Sequence, residues 1–229
     1  MKKKLLLLTF CVLSLLAVPS DKVDAVTKVT LNKSSIILPK KSTYRLKVTG
    51  TKRKVKWSSN KKKIATVSKS GLVAAKKSGT AYVTAKIGKK KIKCKILVRS
   101  EKSICNKLSV AYDWHCEDLW NNGYCNIYHY IEDGRDAVGK KINIDITIQK
   151  LNKAYTKRSK YNQYVYAVQG NRFSKYKKIW KKLDKQNVRL HTILNKNGTP
   201  KPCSNYYFPY EKYSDYLWDL CGETFSFSY

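Results

Sequence analysis

Gly79-Thr80-Ala81-Tyr82-Val83-Thr84-Ala85-Lys86-Ile87, followed closely by Ile92-Lys93-Cys94-Lys95-Ile96, repeats with a period of two. Ala81, Val83, Ala85 and Ile87 alternate with Tyr82, Thr84 and Lys86, and Lys93 and Lys95 separate the apolar residues that follow. Such alternation predicts strands with one face on a core and the other in water. The same pattern continues toward the N-terminus. Tyr44, Leu46 and Val48 alternate with Arg45 and Lys47, and Val55 and Trp57 with Lys54 and Lys56. Gly50, Ser58-Ser59-Asn60, Ser70-Gly71, Ser78-Gly79 and Gly88 punctuate the segment as turns. About seven short strands in roughly 70 residues predict a small β-sandwich.

Four blocks make this prediction specific: Trp57-Ser58-Ser59-Asn60, Ile64-Ala65-Thr66-Val67-Ser68, Gly71-Leu72-Val73-Ala74-Ala75, and Gly79 to Ala85. In order and spacing, residues 26–98 resemble the bacterial Ig-like domain, group 2. The resemblance implies an Ig-like sandwich of the kind found on bacterial surface proteins, adhesins and secreted enzymes. There it serves as a spacer or a binding module. On physical grounds Trp57 is expected to fill the sandwich centre. Cys94, inward on the last strand, reads as a small buried hydrophobe.

Upstream, Met1 to Ala25 has a basic start (Lys2, Lys3, Lys4), an apolar run from Leu5 to Val18, and a polar exit. That run is shorter than the roughly 20 residues that span a bilayer and matches the core of a secretory signal. Val23 and Ala25 place cleavage after Ala25, and Cys11 has no lipoprotein context. The expected organisation is a signal peptide at 1–25, the sandwich at 26–99 and a further domain at 100–229. The mature chain is expected to have no transmembrane segment and to be secreted or held at the cell surface.

Charge is distributed unevenly between the two halves. The whole chain carries +33. Residues 26–99 hold 23 Lys or Arg and no Asp or Glu, whereas residues 100–229 hold 21 against 13. An acid-free basic module calls for a polyanionic neighbour. Export argues against nucleic acid and for an anionic cell-wall polymer or glycan. The lysine-dense stretches supply the candidate contacts: Lys54, Lys56, Lys61, Lys62, Lys63, Lys89, Lys90 and Lys91.

After Ser100 helical spacing takes over. Phe173, Tyr176, Trp180, Leu183, Asn187, Leu190 and Leu194 form one stripe opposite a lysine-rich face, and Asn197-Gly198 ends the helix. An earlier helix through Leu108 to Leu119 is expected to close near Gly123. A long one is expected from about Asp145 to Val168, and a short one near Tyr213 to Cys221. These predict a mainly α-helical bundle domain.

Chemistry-bearing residues in this half do not form a known motif. His115, Cys116, Cys125 and His129 have metal-ligand types without zinc-site spacing. Neither a Gly-rich phosphate loop nor a Gly-x-Ser-x-Gly elbow occurs. Glu117, Asp118, Glu132, Asp133 and Asp136 have the residue type for glycosidic acid–base work but not a telling arrangement. No catalytic residue, metal ligand or cofactor is therefore assigned. In an exported protein the cysteines are expected to pair. Cys203 with Cys221 is the leading candidate disulfide, and Cys105 with Cys116 or Cys125 the second. The reading is a non-catalytic surface module that adheres through its basic sandwich. The alternative is an enzyme or inhibitor in the helical half, tethered by the sandwich.

Overall fold

The computed structural model describes residues 28–228, so the expected signal peptide at 1–25 lies outside the described residues. Nine strands precede six α-helices. The strands are β1 (Thr30–Leu31), β2 (Ser35–Pro39), β3 (Thr43–Arg45), β4 (Val48–Thr49), β5 (Lys56–Ser59), β6 (Ala65–Val67), β7 (Leu72–Ala75), β8 (Gly79–Ile87) and β9 (Lys90–Arg99). A four-stranded sheet in the order β2-β9-β8-β5 faces a three-stranded sheet β3-β7-β6, and β1-β4 form a small ribbon. All pairings are antiparallel except β2 with β9.

The inward residues behave as their alternation requires. Ala81, Val83 and Ala85 of β8 and Cys94, Ile96 and Val98 of β9 are fully buried. Ile36, Leu38, Leu46, Ala65 and Val73 complete this core. Trp57 is a correction: it packs against the core while only half-buried, at the edge of the sandwich instead of its centre. It sits beside Gly71, whose φ of +81° suits the turn and where a Cβ would approach Trp57 Cζ2 to 2.9 Å.

β2 departs from alternation, and the reason positions the rest of the molecule. Ile36 and Leu38 belong to the sandwich core, but Ile37 is buried in the core of the helical half. A strand buried on both faces reads as a continuous apolar run. The free edge of β2 is also taken up: Gln169 N–H donates to the Ile37 carbonyl at 2.9 Å, and Val168 pairs beside it. An open strand edge is thereby covered.

The helices are α1 (Glu101–Asp113), α2 (Cys125–Glu132), α3 (Ile144–Tyr155), α4 (Arg158–Ala167), α5 (Ser174–Asn197) and α6 (Glu211–Phe225). A π-helical segment, Trp114–Tyr124, joins α1 to α2, so the chain runs helically from 101 to 132. The expected stop near Gly123 is absent. Gly123 serves packing instead, since a Cβ there would meet Leu151 Cδ1 at 2.8 Å. The single helix expected over 145–168 is two. It breaks at Thr156–Lys157, where Lys157 N–H turns back to the Ala154 carbonyl at 3.0 Å. Ser100 and Asn143 cap α1 and α3, accepting from Ser103 N–H and Ile146 N–H. α5 runs as expected through the centre, and its Tyr176, Trp180, Leu183 and Leu190 are fully buried. The protein is thus an Ig-like β-sandwich followed by a helical bundle, with Ile37 and Leu97 docked on the bundle.

Candidate anion-binding face

The outward face of the four-stranded sheet sets lysines in register across its strands. Strand register places Lys56 opposite Lys86, and Lys86 opposite Lys91. The next row is Ser58, Thr84 and Lys93, and the one after it brings Tyr82 beside Lys95 and Lys95 beside Ser35. Like charges directly opposite each other destabilise a sheet by a few tenths of a kcal/mol or more, up to about 1 kcal/mol. Three lysines across three strands therefore oppose folding and favour any anion that bridges them. Residues 28–99 contain no carboxylate of their own to relieve this repulsion. Among the described residues, all five ion pairs lie in the helical half or join its own elements.

The face ends in a groove. Where the sheet meets the bundle, Ile37, Leu97, Val110 and Ala167 form an apolar floor beside Tyr161 and Tyr164. Lys95, Lys107 and Lys160 rim this cavity of about 400 Å³. The Lys107 ammonium lies 5.9 Å from the Tyr164 ring centroid, within cation–π range. Burial pushes the Tyr164 phenol up to about 12, against the opposing pull of Arg99, so the ring is neutral.

The expected contacts are dispersed relative to this face. Lys56 and Lys91 lie on it, and Lys89 and Lys90 sit at its outer end, although Lys90 donates to the Val29 carbonyl at 3.1 Å. Lys54 instead lines a hollow beside Trp57 with Lys47 and Lys69. Lys61, Lys62 and Lys63 occupy the exposed turn that leaves the opposite end of β5. Reading lysine runs missed Lys86, Lys93 and Lys95, whose signal was the period-two alternation. It also missed Lys107 and Lys160, which only the docking of the two halves brings into place.

The helical half holds its candidate chemical groups in structural roles. His115 is fully buried, with Nδ1 2.8 Å from the Tyr213 hydroxyl and its ring edge-on to Trp180. Burial, with Arg158 a lesser cause, lowers its pKa to about 3, so it is neutral. Cys116 follows it in sequence but lines a different cavity with Tyr112 and Cys221. Burial raises the Cys116 and Cys125 thiols, the reverse of an activated nucleophile. His129 pairs with Glu132 at 3.1 Å. Asp118 pairs with Lys157 at 2.7 Å, and Asp133 and Asp136 accept backbone N–H groups of their own loop. The Glu117 carboxylate accepts from Asn121 at 3.1 Å. Among the described residues, no three metal-ligating side chains cluster.

The expected Cys203–Cys221 disulfide is not formed; both are free thiols. Cys203, at φ +52°, lies against the end of α2, its N–H donating to the Ile131 carbonyl and its thiol to the Glu132 carbonyl. Cys221 faces Cys116 instead.

Comparison with known proteins bears on the sandwich alone. Residues 25–96 match the family model of the bacterial Ig-like domain (group 2), and this module is such a domain. Among solved structures, domains 4 and 5 of the S-layer protein SbsC share 24% identity over 32% of this chain and 51% of that one, with a TM-score of 0.28. A mutant of intimin from EHEC O157:H7 shares 20% identity over 38% of this chain and 66% of that one, again with a TM-score of 0.28. The chain spans about half or less of the length of the S-layer structures it matches. No curated protein matches it.

Proposed function

We propose that this chain is a non-catalytic, exported binding module of the cell surface, which holds an anionic wall polymer or acidic glycan on its basic sandwich. The module is taken as residues 26–99 and the helical unit as 100–229. The observation that carries the reading is the row Lys56–Lys86–Lys91, extended by Lys93 and Lys95, without a carboxylate on its own module. A sheet that sets like charges side by side gains stability whenever a polyanion spans them. The groove extends the face toward Lys107 and Lys160, giving a polymer a longer track than one sheet provides. The group 2 Ig-like family supports a surface setting.

The test is equilibrium binding of the purified protein to an anionic polysaccharide and to a neutral one of equal length, across a salt series. Binding to the anionic polymer should weaken steeply as salt rises, with little binding to the neutral one. Equal, salt-insensitive binding to both would contradict the proposal.

A further inference from the structure

Cys116 and Cys221 are 105 positions apart, yet they meet across one cavity. Tyr112, Cys116 and Trp120, spaced four apart on the first helical run, form one wall. Leu217, Trp218 and Cys221 of α6 form the facing wall, and about 210 Å³ lies between them. The Tyr112 hydroxyl lies beside both sulfurs. Both cysteines are half-buried, so a small reagent reaches them while neither is sealed in a core. The other cysteines are placed differently. Cys94 is enclosed in the sandwich, Cys105 is buried on α1, and Cys203 rests on the end of α2. Cys125, at the start of α2, is half-buried too but does not line this cavity.

We infer that Cys116 and Cys221 are a disulfide-forming pair, which joins the last helix to the first when the protein meets a disulfide-exchanging oxidant. One thiolate attacks a sulfur of the donor disulfide, forming a mixed disulfide and releasing one donor thiolate. The second cysteine, as thiolate, then attacks the protein sulfur of that mixed disulfide and releases the second donor thiolate. Two protons leave the protein, and the donor disulfide is reduced by the two electrons that the two cysteine sulfurs give up in forming their bond. Burial holds the Cys116 thiol protonated above the usual range, so exchange should accelerate as pH rises. The bond closes a loop of roughly 100 residues, the regime in which the chain-entropy model gives its larger stabilisation. It would also shrink the cavity that Tyr112 shares with the two sulfurs.

The experiment treats the full chain with oxidised glutathione and maps non-reduced peptides by mass spectrometry, alongside Cys116→Ser, Cys221→Ser and Cys203→Ser variants. The expected first product is a Cys116–Cys221 linked peptide with the loss of two hydrogens. It should vanish in the first two variants and persist in the third. The apparent melting temperature should rise by about 10 °C and fall back on reduction. A dominant Cys203–Cys221 link, or every cysteine thiol unchanged under the oxidant, would overturn the inference.

Discussion

The two halves of this molecule manage charge in opposite ways. In the helical half acids and bases are interleaved, and among the described residues five acids find a basic partner. Arg158 makes a bidentate pair with Asp184 at 2.6 and 2.7 Å, and Asn162 links that carboxylate to the Trp180 indole. Lys157 and Lys175 find Asp118 and Glu223. The sandwich has 23 basic groups counted from residue 26 and nothing to answer them. Paired charge contributes to one fold; unanswered charge in register favours a partner. On the proposed reading the bundle is a support, and the sandwich face, lengthened by two of the bundle's lysines, is the part that binds.

The comparison can be broken first at Ile37, where the halves share a strand. Ile36→Ala should destabilise the sandwich by about 3 kcal/mol, and Ile37→Ala the bundle by a similar amount. Urea denaturation, followed by Trp57 for the sandwich and by the bundle tryptophans for the helices in single-tryptophan variants, separates the two. If both substitutions shifted the two transitions equally, the halves would be one cooperative unit and not two cores sharing a strand.

Acid gives a smaller, graded contrast. Residues 28–99 contain no Asp, Glu or His, so nothing in the sandwich titrates between about pH 3 and 8. The bundle holds His115 with a folded pKa of about 3 against an ordinary value near 6.5. Its neutral state is favoured by folding, so that contribution is complete above about pH 6.5. It is lost as pH falls toward about 3, by up to about 1.4 kcal/mol per unit, because only the unfolded state takes up the proton. The urea midpoint of the bundle should therefore drop on acidification while that of the sandwich holds. His115→Gln should flatten part of the bundle's slope. A sandwich transition that fell as steeply would contradict the assignment.

How much was legible follows from which forces act locally. The alternation of Ala81 to Ile87 and Ile92 to Ile96 determines a half-buried hairpin without help from the rest of the chain. The stripe from Phe173 to Leu194 likewise announces α5. Gly123 misled, because its sequence signature is that of a helix end while its role is to let Leu151 approach. Thr156–Lys157 carries no breaker residue, and the bend there depends on contacts across the bundle. The binding face was half legible. Runs such as Lys61–Lys63 catch the eye but fall in a turn, whereas Lys93 and Lys95 are spaced by two on β9 and share a face with Lys86 through the β8–β9 register. Lys107 and Lys160 join them only through docking on Ile37 and Leu97. The Cys116–Cys221 juxtaposition is likewise tertiary, and pairing cysteines by their neighbourhood in sequence pointed to Cys203.

The most direct measurement compares two sets of charge-removing substitutions in affinity for one anionic polysaccharide at fixed low salt. Lys56, Lys86, Lys91 and Lys93 all changed to Gln removes the registered face. Lys61, Lys62 and Lys63 changed to Gln removes a denser run from the turn. The face variant should lose about 10-fold or more in affinity and show a shallower salt dependence, with the turn variant near the parent protein. A loss in both variants in proportion to the charge removed, four lysines against three, would mean that net charge alone attracts the polymer, and that the face has no special part in binding it.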